Sequence, residues 1–264
     1  MLPSSSSGNF VPVTLLFSGQ LIRSEDAPST PLYHLSQEPA RIVHRNLSII
    51  FEKVEFAETG DPDGKVPRLR RRTQDLYYLV HPRRGNFRDD MPRYYITAAA
   101  PEALGNVQFY ISKAAPGEIE FRAMLNPDKS AADIKLFNCD TQKLLFDIKP
   151  KEKGDHYEWV DADGRMVAYE SKASDQHKLV IQIPLQQQMK DVMVALWILR
   201  IWHDVAESQE RSQQCKSSSG LSEPTDSSIE LESHTWPATA SSQHRAIAQK
   251  VATAVGASRT GECH

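Results

Sequence analysis

Cysteine is scarce in this chain of 264 residues, and the three cysteines, Cys139, Cys215 and Cys263, show no paired spacing. An odd number of cysteines without a CxxC motif excludes a disulfide framework and a zinc site built on paired cysteines. The first residues lack the basic start and apolar run of a secretory signal. These absences predict an intracellular protein, either cytoplasmic or peripheral to a membrane.

Long hydrophobic runs are also absent, because the longest covers only the eight residues 192–199. A membrane-spanning helix needs roughly 20 apolar residues, and Lys190, Asp191 and Arg200 bound this run. The sequence therefore predicts no transmembrane helix. Since eight consecutive apolar residues leave no polar face on a helix, segment 185–207 is predicted to be a helix enclosed by protein.

Neither sign of charge dominates, because 31 Lys and Arg against 34 Asp and Glu give a formal net charge of -3. Such a chain has no overall attraction to nucleic acid or to an anionic membrane, so only local clusters of charge can supply one. The sequence also contains no nucleophile elbow, HExxH motif, P-loop or glycine-rich dinucleotide turn. We therefore expect a protein that is not an enzyme and that holds no cofactor or metal. An enzyme of another type is the third interpretation.

What the sequence does contain is a series of about a dozen short strand-like segments ahead of the helix, spaced as in a sandwich or a barrel. The clearest hairpin joins 156–160 to 165–169 through Asp163-Gly164, which offers the positive backbone dihedral angles of a tight turn. Segment 24–31 is predicted to be a connection, because its prolines disfavour a central strand. The other predicted strands are 11–17, 47–56, 76–80, 93–97, 107–111, 119–123, 134–137, 144–148 and 179–183. One enclosed helix after so many strands predicts a sheet wrapped around a helix.

The composition divides the chain into three parts. Residues 1–10 are predicted to be disordered, and residues 11–207 to form one domain with its helix at about 185–207. Residues 208–264 are rich in serine and glutamine and poor in aromatic residues, which is typical of a low-complexity, mostly disordered tail. A short helix at 246–255 is an open alternative within that tail.

Six segments carry a resemblance to a known family: 33–36, 51–55, 79–82, 94–97, 175–179 and 195–204. Together they resemble fungal proteins of the tubby C-terminal-like superfamily, which also includes the LURP-one-related proteins and the phospholipid scramblases. The resemblance covers roughly residues 28–207 and implies a closed antiparallel β-barrel of about twelve strands enclosing a C-terminal hydrophobic helix. It also implies an association with phosphoinositides or other membrane phospholipids, but no ligand-contacting motif of the family can be carried over to residues of this chain.

The strongest local cluster of charge lies between residues 65 and 93. Two basic segments, 65–72 and 83–93, are predicted to be loops on either side of the strand at 76–80, and therefore at opposite ends of that strand. Their nine basic residues are Lys65, Arg68, Arg70, Arg71, Arg72, Arg83, Arg84, Arg88 and Arg93. If the two loops converge, their arginines can bind the phosphates of an anionic phospholipid.

Three other interpretations of the basic cluster stay open. The charges can simply belong to solvated loops, or they can bind a nucleic-acid backbone, although no recognition helix or zinc module supports specific nucleic-acid binding. In the third, the barrel is a protein-interaction scaffold whose serine-rich tail is regulated. Anionic phospholipid binding is the leading hypothesis, and protein partners stay unidentified.

Several single residues have structural explanations. Arg200 needs a carboxylate or carbonyl partner if it is enclosed, and is predicted to lie near the mouth of the barrel. His203-Asp204 at the helix end is predicted to interact with the helix dipole rather than to serve catalysis. The segment 161–164 is similar to the start of a calcium loop, but the twelfth position is Lys172 instead of a bidentate glutamate, so a hairpin turn is predicted.

Overall fold

A computed structural model describes most of the chain up to the end of its long helix. The described residues are 11–41, 48–59, 68–81, 92–115, 118–127, 137, 140–151, 156–173 and 176–218. The predicted disorder of 1–10 and the predicted helix at 246–255 lie outside them. The chain divides into a first unit, residues 1–129 with 136–210, and a second unit, residues 130–135 with 211–264. All the strands and the buried part of the helix belong to the first unit, and residues 211–218 of the second unit are helical.

The described residues form twelve β-strands, one short 3-10 helix and one long α-helix. The strands are β1 (Val13–Ser18), β2 (Leu21–Ser24), β3 (Pro31–Leu35), β4 (Ser48–Thr59), β5 (Arg68–Val80), β6 (Tyr95–Ala98), β7 (Asn106–Ala115), β8 (Glu118–Asn126), β9 (Lys143–Pro150), β10 (Tyr157–Asp161), β11 (Met166–Ala173) and β12 (Gln176–Ile181). The 3-10 helix is Pro39–Arg41 and the α-helix, α1, is Gln187–Ser218.

Each strand pairs antiparallel with its neighbours in the chain, and β1 pairs with β12 to close the sheet into a barrel. The closing register places Val13 opposite Ile181 and Phe17 opposite His177. Closure pairs the first strand with the last and so removes the two terminal edges that an open sheet would present to solvent. The predicted closed antiparallel barrel of about twelve strands is confirmed.

Helix α1 fills the interior of the barrel. All residues from Asp191 to His203 are buried, and Val192 to Leu199 have no exposed surface. Around the helix, inward-facing residues of the strands pack against it, as in the contact between Phe17 and Trp197, whose ring centroids are 6.2 Å apart. The prediction that the apolar run is enclosed by protein is therefore confirmed. Within the described part of the chain, no helix combines the length and apolar character needed to cross a membrane.

The bounds of α1 differ from the prediction at both ends. The helix begins at Gln187, two residues after the predicted start at Leu185, and continues to Ser218 instead of ending near Glu207. Segment 208–218 contains glutamine, glutamate, arginine and lysine and no glycine or proline, so nothing in it ends a helix. Helix α1 therefore extends into residues 208–218 of the segment predicted to be a mostly disordered tail, and residues 219–264 lie outside the described ones.

Three strand predictions need correction. No strand was predicted between residues 18 and 46, but β2 and β3 lie there, on either side of the predicted connection, which shrinks to residues 25–30. They were missed because β2 has only four residues and β3 begins at Pro31, and proline is tolerated at the first position of a strand. The predicted strand at 134–137 lies outside the described residues except for Phe137, which is buried. The predicted basic loop at 65–72 is wrong for its second half, because residues 68–72 already belong to β5 and pair with β4.

The barrel has two ends, which the direction of α1 distinguishes. At the helix-entry end, β12 finishes at Ile181 and α1 begins at Gln187; antiparallel pairing brings the end of β4 and the start of β5 to the same end. At the helix-exit end, β5 finishes at Val80 and α1 leaves the barrel. The contact of His81 with Trp202, with ring centroids 5.8 Å apart, marks this second end.

Candidate functional site

The described residues include five of the nine basic residues predicted to bind an anionic ligand. Arg68, Arg70, Arg71 and Arg72 lie on β5, and Arg93 lies in the connection before β6. The side chains of Arg70, Arg71, Arg72 and Arg93 are exposed. Lys65, Arg83, Arg84 and Arg88 lie outside the described residues.

The described basic residues lie at opposite ends of the barrel. The carbonyl oxygen of Arg93 lies 3.3 Å from Nδ1 of His81, which follows the last residue of β5. A strand rises about 3.3 Å per residue, so the nine steps along the chain from Arg72 to His81 span roughly 30 Å. The structure therefore groups Arg70, Arg71 and Arg72 at the helix-entry end and leaves Arg93 at the helix-exit end.

Strands β4 and β5 extend beyond the barrel as a two-stranded ribbon. The pairing of β4 with β3 covers only residues 51–53, and the pairing of β5 with β6 covers only residues 77–80. Residues 54–59 and 68–73 pair with each other alone. We call these two segments the β4–β5 ribbon; it projects from the helix-entry end and carries Arg70, Arg71 and Arg72.

The two faces of the ribbon have different chemistry. Opposite residues in an antiparallel pair share a face, and every second residue of a strand returns to it. Continuing from the buried Phe51, the inner face carries Glu55 opposite Arg72. The outer face carries Phe56 opposite Arg71, and 43% of the Phe56 surface is exposed. An exposed aromatic ring beside a guanidinium is thus presented to solvent on the outer face.

A polar cavity, which we call the entry cavity, opens beneath the inner face of the ribbon. Its volume is about 320 Å³, and it lies between the base of the ribbon, the connection from β6 to β7 and the first turns of α1. Its polar lining includes Lys53, Glu55, Gln74, Tyr77, Glu102 and Asp191.

Asp191 is the most enclosed charged group of the entry cavity. It is 7% exposed, and its Oδ1 accepts hydrogen bonds of 2.6 Å from the Tyr33 hydroxyl and 2.6 Å from Nε2 of Gln187. Burial, followed by the charge of Asp191, raises the pKa of Tyr33 well above its usual value. Tyr33 therefore stays protonated and keeps donating to the carboxylate.

Tyr77 forms part of the wall beside Asp191. Its hydroxyl accepts a hydrogen bond of 3.0 Å from the backbone N–H of Leu104, which fixes the β6–β7 connection against β5. Burial raises the pKa of Tyr77 to about 12. At neutral pH the hydroxyl is therefore protonated and can act as a donor as well.

Two glutamines, Gln74 and Gln188, form hydrogen bonds across the rim of the entry cavity. Nε2 of Gln188, on α1, donates a 2.8 Å hydrogen bond to the carbonyl oxygen of Glu102. The amide of Gln74, on β5, donates to the carboxylate of Glu102. The helix, the ribbon base and the β6–β7 connection are thus held together around the opening, which shapes the cavity before any ligand binds.

Arg200 was predicted to lie near the mouth of the barrel, but it is buried inside the helix-exit end. Its carboxylate partner there is Glu170. Both residues are 4% exposed, and Nε of Arg200 donates to Glu170 over 2.7 Å. Trp159 donates to the same carboxylate over 2.9 Å, and Asp204 accepts from Nη1 of Arg200 over 2.6 Å. Burial lowers the pKa of Arg200, but the two facing carboxylates more than offset this effect and keep the guanidinium charged.

His203 and His177 are both held by packing against aromatic rings. Nδ1 of His203 lies 3.2 Å from Asp204, and the ring packs edge-on against Tyr94 and Phe121 with centroids 5.2 Å apart in each case. His177 packs against Phe17, with ring centroids 6.4 Å apart. In the part of the chain that the structure describes, His203 has no hydroxyl or thiol within hydrogen-bonding distance, so a nucleophile–base pair is not formed there.

In the hairpin turn at 161–164, the carboxylate of Asp161 accepts hydrogen bonds from backbone N–H groups of the same hairpin. Oδ1 of Asp161 accepts from the backbone N–H of Asp163 over 3.0 Å and from that of Arg165 over 2.9 Å. Gly164 has a φ of 78°, the left-handed conformation predicted for this turn. Among the described residues, no group of three or more His, Cys, Asp or Glu side chains has the arrangement needed to hold a metal ion.

A second cavity, of about 490 Å³, lies beside the start of α1 and has a largely apolar lining that includes Phe146, Val167, Ile183, Leu185 and Met189. The ion pair of Arg165 with Asp161, 2.8 Å long, stands at its edge. Since that guanidinium already has carboxylate partners, this cavity offers a ligand apolar contact but little directional recognition.

The sequence did not predict the entry cavity. Asp191 was recognised only as a charged boundary of the apolar run, Tyr33 only as part of a family-like segment, and Tyr77 only as a residue of a predicted strand. The available signal was the position of Asp191 directly before eight apolar residues, since a carboxylate so close to an enclosed segment must find donors. Comparison of the chain with models of protein families, with curated proteins and with solved structures finds no match.

Proposed function

We propose that this protein is a binding module that attaches to anionic phospholipid head groups at a membrane surface through the β4–β5 ribbon. The observation that carries the proposal is the exposure of Arg70, Arg71 and Arg72 on a ribbon that projects beyond the barrel, with Phe56 exposed opposite Arg71. The resemblance to tubby-like proteins supports the same class of ligand.

Guanidinium groups suit this task because their planar donors match two phosphate oxygens at once. Each basic residue near an anionic surface contributes about 1 kcal/mol to binding. A projecting ribbon can bring its arginines to the surface without requiring the rest of the barrel to approach it. The ring of Phe56 adds apolar contact at the level of the head groups, where aromatic side chains are favoured.

A binding role, rather than an enzymatic one, is supported by the use of the buried ionisable groups. Arg200 and Glu170 are bonded to each other, and His203 is packed between aromatic rings. These groups link α1 to the barrel wall. The barrel then serves as a rigid support for the ribbon, and no cofactor is needed for the proposed function.

The test is co-sedimentation of the full chain with vesicles of phosphatidylcholine containing either phosphatidylserine or a phosphoinositide, at low and at high salt. We expect binding at low salt that weakens as salt rises, because exposed charges are screened within about 10 Å at 0.1 M salt. The triple variant Arg70→Gln, Arg71→Gln, Arg72→Gln should bind roughly a hundredfold more weakly, from about 3 kcal/mol of lost attraction.

The matched control is the triple variant Lys113→Gln, Lys143→Gln, Lys149→Gln, which removes the same charge from exposed positions outside the ribbon. We expect it to bind vesicles nearly as well as the unmodified chain. Equal losses in the two triple variants would contradict the proposal, since they would indicate attraction by overall charge alone.

The exposed ring of Phe56 should itself contribute to vesicle binding. Phe56→Ser should weaken vesicle binding severalfold, whereas Met166→Ser, at a residue of similar exposure, 42%, should not. Two results would replace the lipid proposal: tighter binding to a mixed-sequence DNA duplex than to vesicles would favour a nucleic-acid role, and absence of vesicle binding at low salt would favour the protein-interaction alternative.

A further inference from the structure

We propose that the entry cavity binds a primary ammonium group whose neighbouring phosphate is held by Arg72, which is the chemistry of phosphoethanolamine. This group occurs as the head group of an aminophospholipid and as a free phosphate ester. The inference rests on the proposed function for the contact between phosphate and ribbon, and adds to it the identity of the group next to the phosphate.

The lining of the entry cavity is predominantly acidic. Asp191, Glu55 and Glu102 place three carboxylates around the cavity, against the single ammonium of Lys53. Lys53 is 3.2 Å from the carboxylate of Glu55 and so already has an anionic partner. The remaining charge of the described lining is negative, which favours a cationic ligand and disfavours an anionic one at the base of the cavity.

The buried carboxylate of Asp191 is held by uncharged donors. Its two donors, Tyr33 and Gln187, are neutral. The charge of Asp191 acts on the ammonium of the neighbouring Lys190, but among the described residues no ion pair joins Asp191 to a cationic side chain. Buried carboxylates are usually paired with a cation, because burial penalises an uncompensated charge. A primary ammonium supplies that cation and brings three donors, for which the second oxygen of Asp191 and the side chain of Glu102 provide acceptors.

The entry cavity has the size and polarity of a site for a small polar group. A volume of about 320 Å³ is at the lower end of the range for ligand sites and is suited to a head group rather than to an acyl chain. The hydrogen bonds of Gln188 and Gln74 to Glu102 hold the walls in place, so little ordering accompanies binding.

Arg72 lies close to the opening of the entry cavity. It lies two residues from Gln74 on the same inner face of the ribbon, which is about 7 Å along the strand. A phosphate held by Arg72 would therefore lie at the opening of the cavity, with its attached amine directed toward Asp191. A ligand with both charges satisfies the negative cavity and the positive ribbon together.

A purely structural role is the competing explanation for Asp191. The carboxylate lies near the start of α1, where the helix dipole stabilises a negative charge, and it ties Tyr33 to Gln187. This explanation predicts that removal of the charge changes stability without changing ligand binding. The two explanations are therefore separable by a binding measurement.

The experiment is a calorimetric titration of the full chain and of Asp191→Asn with three probes: phosphoethanolamine, ethanolamine and inorganic phosphate. We expect phosphoethanolamine to bind most tightly to the unmodified chain, and Asp191→Asn to weaken it about tenfold or more while changing phosphate binding little. Arg72→Gln should weaken both phosphoethanolamine and phosphate. Glu118→Gln, an exposed carboxylate of β8, is the matched control and should leave all three unchanged.

A second arm uses vesicles with a fixed fraction of phosphatidylserine in which the remaining lipid is phosphatidylethanolamine or phosphatidylcholine. A preference for phosphatidylethanolamine that Asp191→Asn abolishes identifies a lipid head group as the source, and binding of soluble phosphoethanolamine without that preference identifies a free ester. Vesicle binding that depends on the ribbon arginines, with no effect of Asp191→Asn in either arm, overturns this inference and leaves the proposed function standing.

A second variant, Glu102→Gln, tests the inference even if Asp191→Asn does not fold. Glu102→Gln removes one carboxylate from an exposed position on the rim and is not expected to affect folding. We expect it to weaken phosphoethanolamine binding severalfold and to leave inorganic phosphate unaffected. Unchanged phosphoethanolamine binding in Glu102→Gln, or equal affinity of the unmodified chain for phosphoethanolamine and phosphate, overturns the inference.

Discussion

Arg200 of the enclosed helix and Glu170 of β11 form an ion pair in which both side chains are nearly fully buried. The pair joins α1 to the wall of the barrel, and Trp159 and Asp204 supply further hydrogen bonds to it. An ammonium or guanidinium buried without such partners would cost several kcal/mol. The pair therefore fixes how far the helix is inserted, because a shift by one turn would separate the charges.

Removal of one partner of this pair should be strongly destabilising. We expect Glu170→Gln to lower the free energy of unfolding by about 3–5 kcal/mol, because the guanidinium of Arg200 then stays buried with only Asp204 as a charged partner. Chemical denaturation at neutral pH measures the change. In contrast, Arg165→Gln, which breaks an exposed ion pair with Asp161, should cost less than about 1 kcal/mol.

The double variant Arg200→Met, Glu170→Leu provides the complementary test. Replacing both charges by apolar side chains removes the burial penalty together with the attraction, so the double variant should be more stable than Glu170→Gln. A double variant less stable than Glu170→Gln would show that the hydrogen bonds of Trp159 and Asp204 contribute more than the burial of the charges costs.

Trp197 offers a test of the packing of α1. Its side chain has no exposed surface, contacts Phe17 edge-on, and its indole N–H has no hydrogen-bond partner among the described residues. We expect Trp197→Ala to lower the free energy of unfolding by about 3–5 kcal/mol through the cavity it leaves. Trp197→Phe should cost much less, because it also removes the unsatisfied N–H. Thermal and chemical denaturation measure the loss of unfolding free energy in the two variants. Equal losses in Trp197→Ala and Trp197→Phe would contradict the prediction.

The enclosed helix was predictable because its signal is local. Eight apolar residues in a row exclude a polar face at any helical orientation, and the number of strand-like segments indicated what encloses them. The hairpin at Asp163-Gly164 was likewise predictable, since the turn needs a residue that adopts a positive φ. In both cases the physical requirement falls on consecutive residues.

The sites depend instead on residues far apart in the sequence. Tyr33 and Asp191 are 158 positions apart, and Arg200 and Glu170 are 30 apart, so no spacing rule brings them together. Only the register of the closed sheet and the depth of α1 decide these contacts. The ribbon was missed for a related reason: a basic stretch beside a turn cluster is typical of a loop, and its pairing with β4 is a property of two segments.

The surrounding backbone leaves no room for a side chain at Gly105. Its φ is +150°, and an added Cβ would lie 2.4 Å from the carbonyl oxygen of Asn126. Gly105→Ala should therefore destabilise the protein by roughly 1–3 kcal/mol, because strain and a backbone clash act together. Gly19→Ala is the control: its φ is +64° but nothing lies within 4 Å of the added Cβ, so only about 1 kcal/mol is expected. Denaturation midpoints of the two variants give the comparison, and an equal or larger loss in Gly19→Ala would contradict the clash argument.

Because of the tyrosines around the entry cavity, the free energy of unfolding should decrease as the pH rises above 10. Burial raises the pKa of Tyr77 from 10.0 to about 12, and the pKa of Tyr33 is raised in the same direction. In the unfolded chain both hydroxyls ionise near pH 10. A raised pKa in the folded state means that the folded form holds its proton longer, so the stabilisation is complete below pH 10 and is lost as pH rises through the folded pKa.

For Tyr77 this loss should amount to about 3 kcal/mol between pH 10 and pH 12, at about 1.4 kcal/mol for each unit of pKa. Tyr77→Phe removes the titrating group, so the free energy of unfolding of that variant should fall less steeply over this range. At pH 7 the same variant should be less stable by about 1–3 kcal/mol, because the N–H of Leu104 loses its acceptor. Tyr110→Phe, at an exposed position, should change neither quantity. Urea denaturation at closely spaced pH values gives both measurements, and equal slopes in the unmodified chain and Tyr77→Phe would rule out this hydroxyl as a source of the alkaline loss.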